Sequence, residues 1–356
     1  MKTKIQIFGT VCLDKIRFIE SFPNRLGSYT EVKKESLYLG GEASNSFVCL
    51  GNWLIDEQNK NQNVQLKLIS VPLVNDDYGK WIKSHYLFQP FILKNSDLVS
   101  LDVMMVKDDK NEFTSTPCCD LYVCNQKERT MFGIGYKESE NYAIRHQKEV
   151  LFDRLEFLGE RYWVTFDYNT PTCSDLIIKK SIETLTNLLV LDHPFDFNQS
   201  DIAIDNLSRM NIIYQISTDY TDTKNDKSST IQHLNNWLSN GNNKYCLMVL
   251  TDGANGFVIG GQIYNLKTKT KETVPTQWFD TYKITDVIDT IGSGDCFRAG
   301  LLYSIALHDY IALENLQEIM KFASASGGLN CKSIGGCTRT PTLSEIHQLQ
   351  STSSLL

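Results

Sequence analysis

The chain has 356 residues, with 35 Lys and Arg against 42 Asp and Glu and a formal net charge of −7. An acidic balance does not favour binding to nucleic-acid phosphates, so nucleic acid is not the expected partner. With 42% hydrophobic and 22% charged residues, the composition is typical of a globular protein, of two or three ordinary domains or one large α/β domain. No apolar stretch is long enough to cross a membrane, and the N-terminal residues do not resemble a signal peptide, so we expect a cytoplasmic protein.

Short β-type runs recur along the chain at intervals that are too long for hairpins. They are Ile5 to Phe8, Leu66 to Val71, Trp163 to Phe166, Leu188 to Leu191, Ile212 to Tyr214 and Leu247 to Leu250. Helix-length segments lie between several of them, and such alternation indicates parallel pairing through right-handed crossovers. The sequence therefore predicts an α/β fold with a doubly wound, mostly parallel central sheet and helices on both faces.

Two stretches break this alternation. Residues 14–39 and 99–135 contain closely spaced β-like pieces with turn residues between them, such as Asp14 to Glu20, Leu101 to Lys107 and Arg129 to Ile134. Closely spaced strands favour hairpins. We therefore predict a small antiparallel sheet that is set apart from the main one.

The ten cysteines and six histidines show no metal-binding pattern. No Cys-x-x-Cys pair occurs, and neither Cys331 nor Cys337 has a nearby set of Cys and His partners for zinc. We expect the cysteines to be reduced, mostly buried thiols.

The most informative segment runs from Asp286 to Gly300. Apolar residues recur at helical spacing after Gly294, so Gly292-Ser293-Gly294 is predicted to be a turn that opens onto a helix N-terminus. Free backbone N–H groups at such a turn suit an anion, and glycine permits its close approach. Asp295 beside an anion site would accept a proton or bind a metal, although an ordinary helix cap explains an Asp there equally well.

A second glycine pair, Gly40-Gly41, precedes another apolar helical pattern that contains Asn45. Backbone at such a pair can approach a ligand, and the Asn45 amide offers both a donor and an acceptor. Turns use glycine pairs often, so a plain turn is the favoured interpretation of these residues alone.

Two further elements follow predicted strands. Asp14 comes after the first strand, where ligands of doubly wound sheets bind, so it is placed to reach a polyol hydroxyl; a solvated loop Asp is the alternative. Thr251, Gly253 and Gly256 follow the strand at Leu247 to Leu250, where a nucleotide could lie; the alternative is a turn between two strands.

Several common enzyme motifs are absent from the sequence. There is no Gly-x-x-x-x-Gly-Lys-Ser/Thr loop and no Gly-x-Gly-x-x-Gly after the first strand, so neither a P-loop NTPase nor a dinucleotide dehydrogenase is supported. The Gly-x-Ser-x-Gly elbow of a serine hydrolase is also missing.

The order of these elements resembles the ribokinase-like carbohydrate kinases, also called the phosphofructokinase-B family, from the first strand to about Pro341. The family's two signatures resemble Gly40-Gly41-x-x-x-Asn45 and Asp289-Thr290-x-Gly292-x-Gly294-Asp295. The second signature is highly specific. A weaker motif resembles Asn75 to Gly79, although Val74 stands where glycine is usual.

The resemblance implies a single kinase domain over residues 1–345, with a central sheet of about eight strands and a small β-sheet lid. The lid would be formed by residues 12–39 and 99–135, and residues 346–356 would be a C-terminal tail. Because the lid exposes strand edges, a homodimer through the lid is also implied.

The resemblance also implies roles for particular residues. Asp295 would be the general base, and the amides of Gly292, Ser293 and Gly294 would form the anion hole for the transferred phosphoryl group. Sugar hydroxyls would be held by Asp14, Gly40, Gly41 and Asn45. ATP would lie against Thr251, Gly253 and Gly256, with its adenine beside Gly328 to Gly336. A monovalent cation such as K⁺ would bind to Asp289 and the Ile291 carbonyl. Mg²⁺ would bridge the ATP phosphates.

Some positions depart from the family pattern. An Asn-x-x-Glu motif near the magnesium and phosphate site is replaced here by the run Ile213 to Asp219, in which Gln215 and either Thr218 or Asp219 are the substitutes. Specificity would lie in the lid and in residues such as Glu42 and Cys12, with Asp167 as a further hydroxyl ligand.

The sequence thus predicts an ATP-dependent kinase of a small sugar or sugar derivative. The alternatives are a nucleoside kinase of the adenosine type and a kinase-like protein that binds without catalysis. The latter would be expected to lose Asp295 or the glycine turn, and both are present.

Overall fold

The structure is a computed structural model, and it describes residues 2–23, 25, 27–56, 63–93, 98–107, 113–125, 129–167, 169–192, 195–199 and 201–352. Within these ranges it contains fifteen strands and ten α-helices. The strands are β1 (Thr3–Gly9), β2 (Cys12–Ile19), β3 (Val32–Gly40), β4 (Val64–Ser70), β5 (Leu73–Val74), β6 (Val99–Asp102), β7 (Met105–Val106), β8 (Cys118–Val123), β9 (Arg129–Ile134), β10 (Tyr162–Phe166), β11 (Asn187–Leu191), β12 (Ile212–Ser217), β13 (Leu247–Thr251), β14 (Phe257–Asn265) and β15 (Thr270–Phe279). The helices are α1 (Glu42–Ile55), α2 (Asp77–Lys83), α3 (Gln89–Leu93), α4 (Tyr136–Arg145), α5 (Pro171–Thr184), α6 (Ile204–Leu207), α7 (Lys227–Leu238), α8 (Ser293–His308), α9 (Leu313–Asn330) and α10 (Leu343–Thr352).

The central sheet has nine strands in the order β15-β14-β13-β12-β11-β10-β1-β4-β6. The seven strands from β13 to β6 are parallel, whereas β14 and β15 add an antiparallel edge. Strand β11 is buried along its whole length, as expected for a parallel strand with both faces covered. The predicted doubly wound α/β sheet is confirmed, and its strand order reverses at β1.

Helices α1, α8 and α9 pack together and carry the two glycine elements. Their contact is aromatic: the Trp53 ring lies 5.5 Å from that of Tyr303 and 5.8 Å from that of Phe322, both edge to face. Truncating a buried aromatic side chain of this size costs about 3–5 kcal/mol of stability. This core therefore fixes the start of α1 relative to the start of α8.

The small sheet set apart from the main one has the order β3-β2-β8-β9. Two of its pairs are antiparallel, but β2 pairs with β8 in parallel, so the sheet is mixed. The predicted range 99–135 was also too wide. Strand β6 is the edge of the central sheet and β7 pairs with β5, because the short helices α2 and α3 provide a crossover from β4 to β6.

The predicted tail over residues 346–356 was wrong for most of its length. Residues Leu343–Thr352 form α10, and the Ile346 side chain is fully buried against the core. Apolar residues at helical spacing dock this segment against α9; the last four residues lie outside the described part. Within the described ranges, no helix combines the length and the apolarity needed to cross a bilayer.

Candidate active site

The residues singled out in the sequence meet at the carboxyl ends of the parallel strands, beside the position where the strand order reverses. Asp14 lies on β2, Asn45 on the first turns of α1, and Asp295 on the first turn of α8. Ligands of doubly wound sheets bind in this crevice. The fold thus brings together side chains that are up to 281 positions apart in the chain.

The turn before α8 has the geometry of an anion site. Gly292 is the N-cap residue with φ of 73°, a conformation that favours glycine. The first intrahelical bond runs from Cys296 N–H to the Gly292 carbonyl, and the Ser293 N–H donates to Thr290 O at 3.3 Å. The N–H groups of Gly294 and Asp295 therefore have no carbonyl partner within the helix. Of the predicted Gly292-Ser293-Gly294 set, the Ser293 N–H is thus bonded within the turn, and the Asp295 N–H is an additional available donor.

Asp295 does not cap the helix, because the capping position is Gly292 and no side chain bonds there. The residue is only 7% exposed, and its Oδ2 accepts a hydrogen bond of 2.9 Å from Asn45 Nδ2. Burial raises the pKa of Asp295, while Arg298 and the Asn45 hydrogen bond oppose that rise. A carboxylate held this way in a cleft is suited to accept a proton.

Sequence reasoning missed Arg298, which is 0% exposed and follows Asp295 by one helical turn. Its Nη2 lies 3.6 Å from Asp295 Oδ1. A charged residue within a predicted helix that is otherwise small and apolar was the available signal, since an Arg is almost never fully buried without partners.

Asp14 is buried directly beside Gly40, where a Cβ atom would overlap its carboxyl group. Burial raises the pKa of Asp14 to about 7, and the charges of Asp295 and Asp289 add to the rise. The Cys12 thiol donates to Asp14 Oδ1 at 3.4 Å. Asp14 is thus part of the same electrostatic site as Asp295, rather than a solvated loop residue.

Gly41 is the N-cap residue of α1, with φ of 98°. A Cβ atom there would overlap the Thr10 carbonyl, so only glycine lets the two chain segments pass. Glu42 follows it, and its Oε2 is buried without a hydrogen-bond partner among the described residues. Burial and the neighbouring Asp167 and Asp295 raise the pKa of Glu42 well above its usual value.

Asp167, the further hydroxyl ligand suggested by the sequence, is bonded to neighbouring protein groups. Its carboxylate accepts from Thr10 N–H at 2.5 Å, from Thr10 Oγ1 at 3.2 Å and from Asn169 N–H at 3.2 Å. Burial raises its pKa to about 6. Because these bonds come from within the protein, Asp167 organises the end of β1.

The end of β12 lies against the glycine turn. Gln215 Nε2 donates to Gly294 O at 3.0 Å, whereas Gln215 Oε1 is buried without a donor within the described chain. Thr218 Oγ1 donates to Asp252 at 2.6 Å, so Thr218 is held by the adjacent strand end. Asp192, whose pKa burial raises to about 7, accepts from Ser217 N–H at 3.1 Å.

The antiparallel strands β13 and β14 are joined by a tight connection that contains Thr251, Gly253 and Gly256. This geometry agrees with the turn between two strands that the sequence allowed as an alternative to a nucleotide site. Gly328 lies in the last turn of α9, against the Ile284 side chain. A Cβ atom on the preceding Gly327 would come within 2.8 Å of Ser293 O, so the end of α9 borders the glycine turn.

Asp289 and Ile291 lie in the turn before Gly292. The Asp289 carboxylate accepts from Ile291 N–H at 3.0 Å and from Gly335 N–H at 2.9 Å. The Ile291 carbonyl accepts from Asn330 Nδ2 at 3.2 Å. These oxygens are close in the chain, but protein donors already contact both.

The weaker motif at Asn75 to Gly79 has a structural part in the fold. Asp76 caps α2 by accepting from Gly79 N–H at 2.7 Å, and it also accepts from Thr116 Oγ1 at 2.7 Å. It therefore ties α2 to the segment that leads into β8. The ten cysteines, all within the described ranges, are free thiols, and nine of them are buried.

Solved structures share this architecture. Ribokinase from Giardia lamblia superposes with a TM-score of 0.68 at 17% sequence identity, covering 99% of both chains. A nucleoside kinase from Burkholderia thailandensis in complex with inosine gives 0.62 at 16% identity, covering 98% of this chain and 96% of that one. The fold is thus the ribokinase-like fold, as predicted.

Sequence comparison then identifies the family. A model of the pfkB family carbohydrate kinases matches residues 200–343. An uncharacterized sugar kinase from Dictyostelium discoideum is 40% identical over 357 residues, covering 97% of this chain and 96% of the relative. The chain belongs to the pfkB family of carbohydrate kinases, which confirms the predicted family and enzyme class.

Proposed function

We propose that this protein transfers the γ-phosphoryl group of ATP to a hydroxyl of a small sugar or sugar derivative, with Asp295 as the general base. The observation that carries the proposal is the position of the Asp295 carboxylate, buried next to the free amides of α8 and bonded to Asn45. Base and anion site then lie within one helical turn. The sugar kinase relative supports a sugar acceptor.

In the proposed reaction, Asp295 accepts the proton of the substrate hydroxyl as that oxygen attacks phosphorus. The amides of Gly294 and Asp295 stabilise negative charge on the transferred group at the positive end of α8. Asp14 and Asn45 orient the sugar, because the Asn45 Oδ1 atom is buried without a donor within the described chain and a substrate hydroxyl would supply one.

Magnesium would neutralise charge on the ATP phosphates when it is bound. Among the described residues, no group of three or more His, Cys, Asp and Glu side chains is arranged around a metal position. Magnesium in such enzymes needs only one or two protein ligands besides phosphates and water. The unpartnered Gln215 Oε1 and the Asp192 carboxylate fit that requirement and would hold the ion.

A monovalent cation such as K⁺ would bind at Asp289 and the Ile291 carbonyl. Both oxygen atoms are hydrogen-bonded, but each retains a lone pair, and together they border the turn that positions Gly292. Comparing rates in KCl with rates in tetramethylammonium chloride tests this assignment. A rate that is equal in both salts would contradict it.

The test of the function is a substrate panel of aldoses, ketoses, sugar derivatives and nucleosides with ATP and MgCl₂. We expect phosphorylation of a sugar or sugar derivative. The main alternative is a nucleoside acceptor, because the fold is similar to that of the inosine-bound nucleoside kinase. Phosphorylation of nucleosides alone would favour that alternative, and no ATP turnover with any acceptor would favour a binding protein.

A further inference from the structure

We propose that Arg298 is a positioning residue, which holds the Asp295 carboxylate ionised and oriented for proton transfer. The inference rests on the proposed role of Asp295. Arg298 does not reach the cleft, because its side chain is entirely buried beneath the first turn of α8. It would therefore act on the reaction only through Asp295.

The Arg298 guanidinium group donates three hydrogen bonds within the protein. Its Nε donates to Ser46 Oγ at 2.8 Å, Nη1 donates to Phe166 O at 3.3 Å, and Nη2 donates to Glu42 O at 2.5 Å. Ser46 Oγ in turn donates to the Asp295 carbonyl at 3.0 Å. Helix α1, strand β10 and helix α8 thus hold one cation in a single orientation.

The Arg298 guanidinium interacts electrostatically with several acidic side chains. The carboxyl groups whose charges interact with Asp295 come from several elements: Asp14 on β2, Glu42 on α1, Asp167 after β10 and Asp192 after β11. Arg298 interacts favourably with Asp295, Glu42, Asp167 and Asp192. Burial among these groups favours a protonated Asp295, which could not act as a base, and Arg298 opposes that tendency.

Arginine suits this position better than lysine. Its planar group presents several N–H donors in fixed directions, so it can bond Ser46, Phe166 and Glu42 and still face Asp295. A lysine would keep the charge but could not reach all of these acceptors together. The variant Arg298→Lys therefore keeps the positive charge but changes the geometry, whereas Arg298→Met removes the charge.

The first test is the pH dependence of kcat/KM for the best sugar in the panel. An opposite charge at this distance lowers a carboxyl pKa. Arg298→Met should therefore move the acidic limb of the profile to higher pH, and Arg298→Lys should move it most of the way back. An acidic limb that stays in place in Arg298→Met would overturn the proposal.

If Arg298→Met does not fold, Ser46→Ala removes one anchor of the guanidinium and one bond to the Asp295 backbone. It should shift the same limb in the same direction by a smaller amount. An unchanged limb in a folded Ser46→Ala variant would then count against the role of Arg298.

A second test needs no substrate, so it separates this inference from the proposed function. Thermal unfolding is measured for Asp295→Asn, Arg298→Met and the double variant, because buried charges that form a pair show strong coupling. The double variant should be more stable than the sum of the single effects predicts. The exposed pair of Lys179 and Asp201, 2.9 Å apart, is the control, and Lys179→Met with Asp201→Asn should show little coupling. Additive effects of the Asp295 and Arg298 changes would overturn the pairing, even if the enzyme phosphorylates a sugar.

Discussion

The Asn45 amide lies 2.9 Å from the Asp295 carboxylate and joins the two glycine elements of the chain across 250 positions. Each element alone allowed an ordinary structural interpretation. Their contact places a buried carboxylate, a polar amide and the positive end of α8 in one cleft. A candidate catalytic site follows from that contact rather than from either motif alone.

Replacing Asp295 with Asn should remove the base and leave the fold intact. Asn cannot accept the proton, and loss of a general base lowers a rate by roughly 10²–10⁴-fold. The protein should stay folded but lose some stability, because the change leaves the buried Arg298 without its paired charge. Steady-state kinetics and thermal unfolding, with the surface variant Asp201→Asn as control, measure both effects. Activity near that of the control would refute the role of Asp295.

Replacing two glycines of the turn with alanine should have different effects on stability and on ATP binding. Gly292→Ala places a Cβ atom 2.5 Å from the Gly336 Cα at a φ of 73°, so it should lower the melting temperature. Gly294→Ala meets no protein atom closer than Gln215 Nε2 at 3.9 Å and should preserve stability. Its methyl group would, however, stand at the proposed phosphate site and raise the KM for ATP. Unfolding curves and ATP titrations of both variants test this pair, and an unchanged KM in Gly294→Ala would contradict the assigned anion site.

Local signals explain what the sequence could predict. The turn before α8 was visible because glycines and helical periodicity occur within a few residues. The hydrogen-bond acceptors of the Arg298 guanidinium lie 132 to 256 positions away, so its burial and orientation depend on packing that no local pattern encodes. The same holds for β6, whose short apolar run resembled a hairpin strand until its pairing with β4 showed otherwise.

The lid should form a homodimer. Leu37, Phe132 and Ile134 are exposed on one face of its sheet, and β3 and β9 are its edge strands. Exposed apolar faces and strand edges favour association with another sheet. Sedimentation should show a dimer for the wild type and a monomer for Phe132→Glu. Phe152→Glu, which changes a half-exposed aromatic residue outside the lid, is the control. A monomeric wild type at tens of micromolar would disprove the prediction.

Asp14 should make the stability of the ligand-free protein depend on pH. Burial raises its pKa from an ordinary value of 3.8 to about 7, so the folded state binds the proton more tightly than the unfolded state. The contribution of a group with a raised pKa is present at low pH and is lost as the pH rises through the folded value. Between about pH 4 and pH 7 this loss amounts to at most about 4 kcal/mol.

Asn at position 14 removes this titration. Asp14→Asn should therefore gain more stability over the wild type at pH 8 than at pH 5, because only the wild type must bury a carboxylate at pH 8. Thermal unfolding at both pH values measures the difference, and Asp201→Asn again provides a surface control. The variant should also bind sugar more weakly, since an amide cannot replace a carboxylate as acceptor for two hydroxyl groups. A stability gain that is the same at both pH values would show that Asp14 does not titrate in this range.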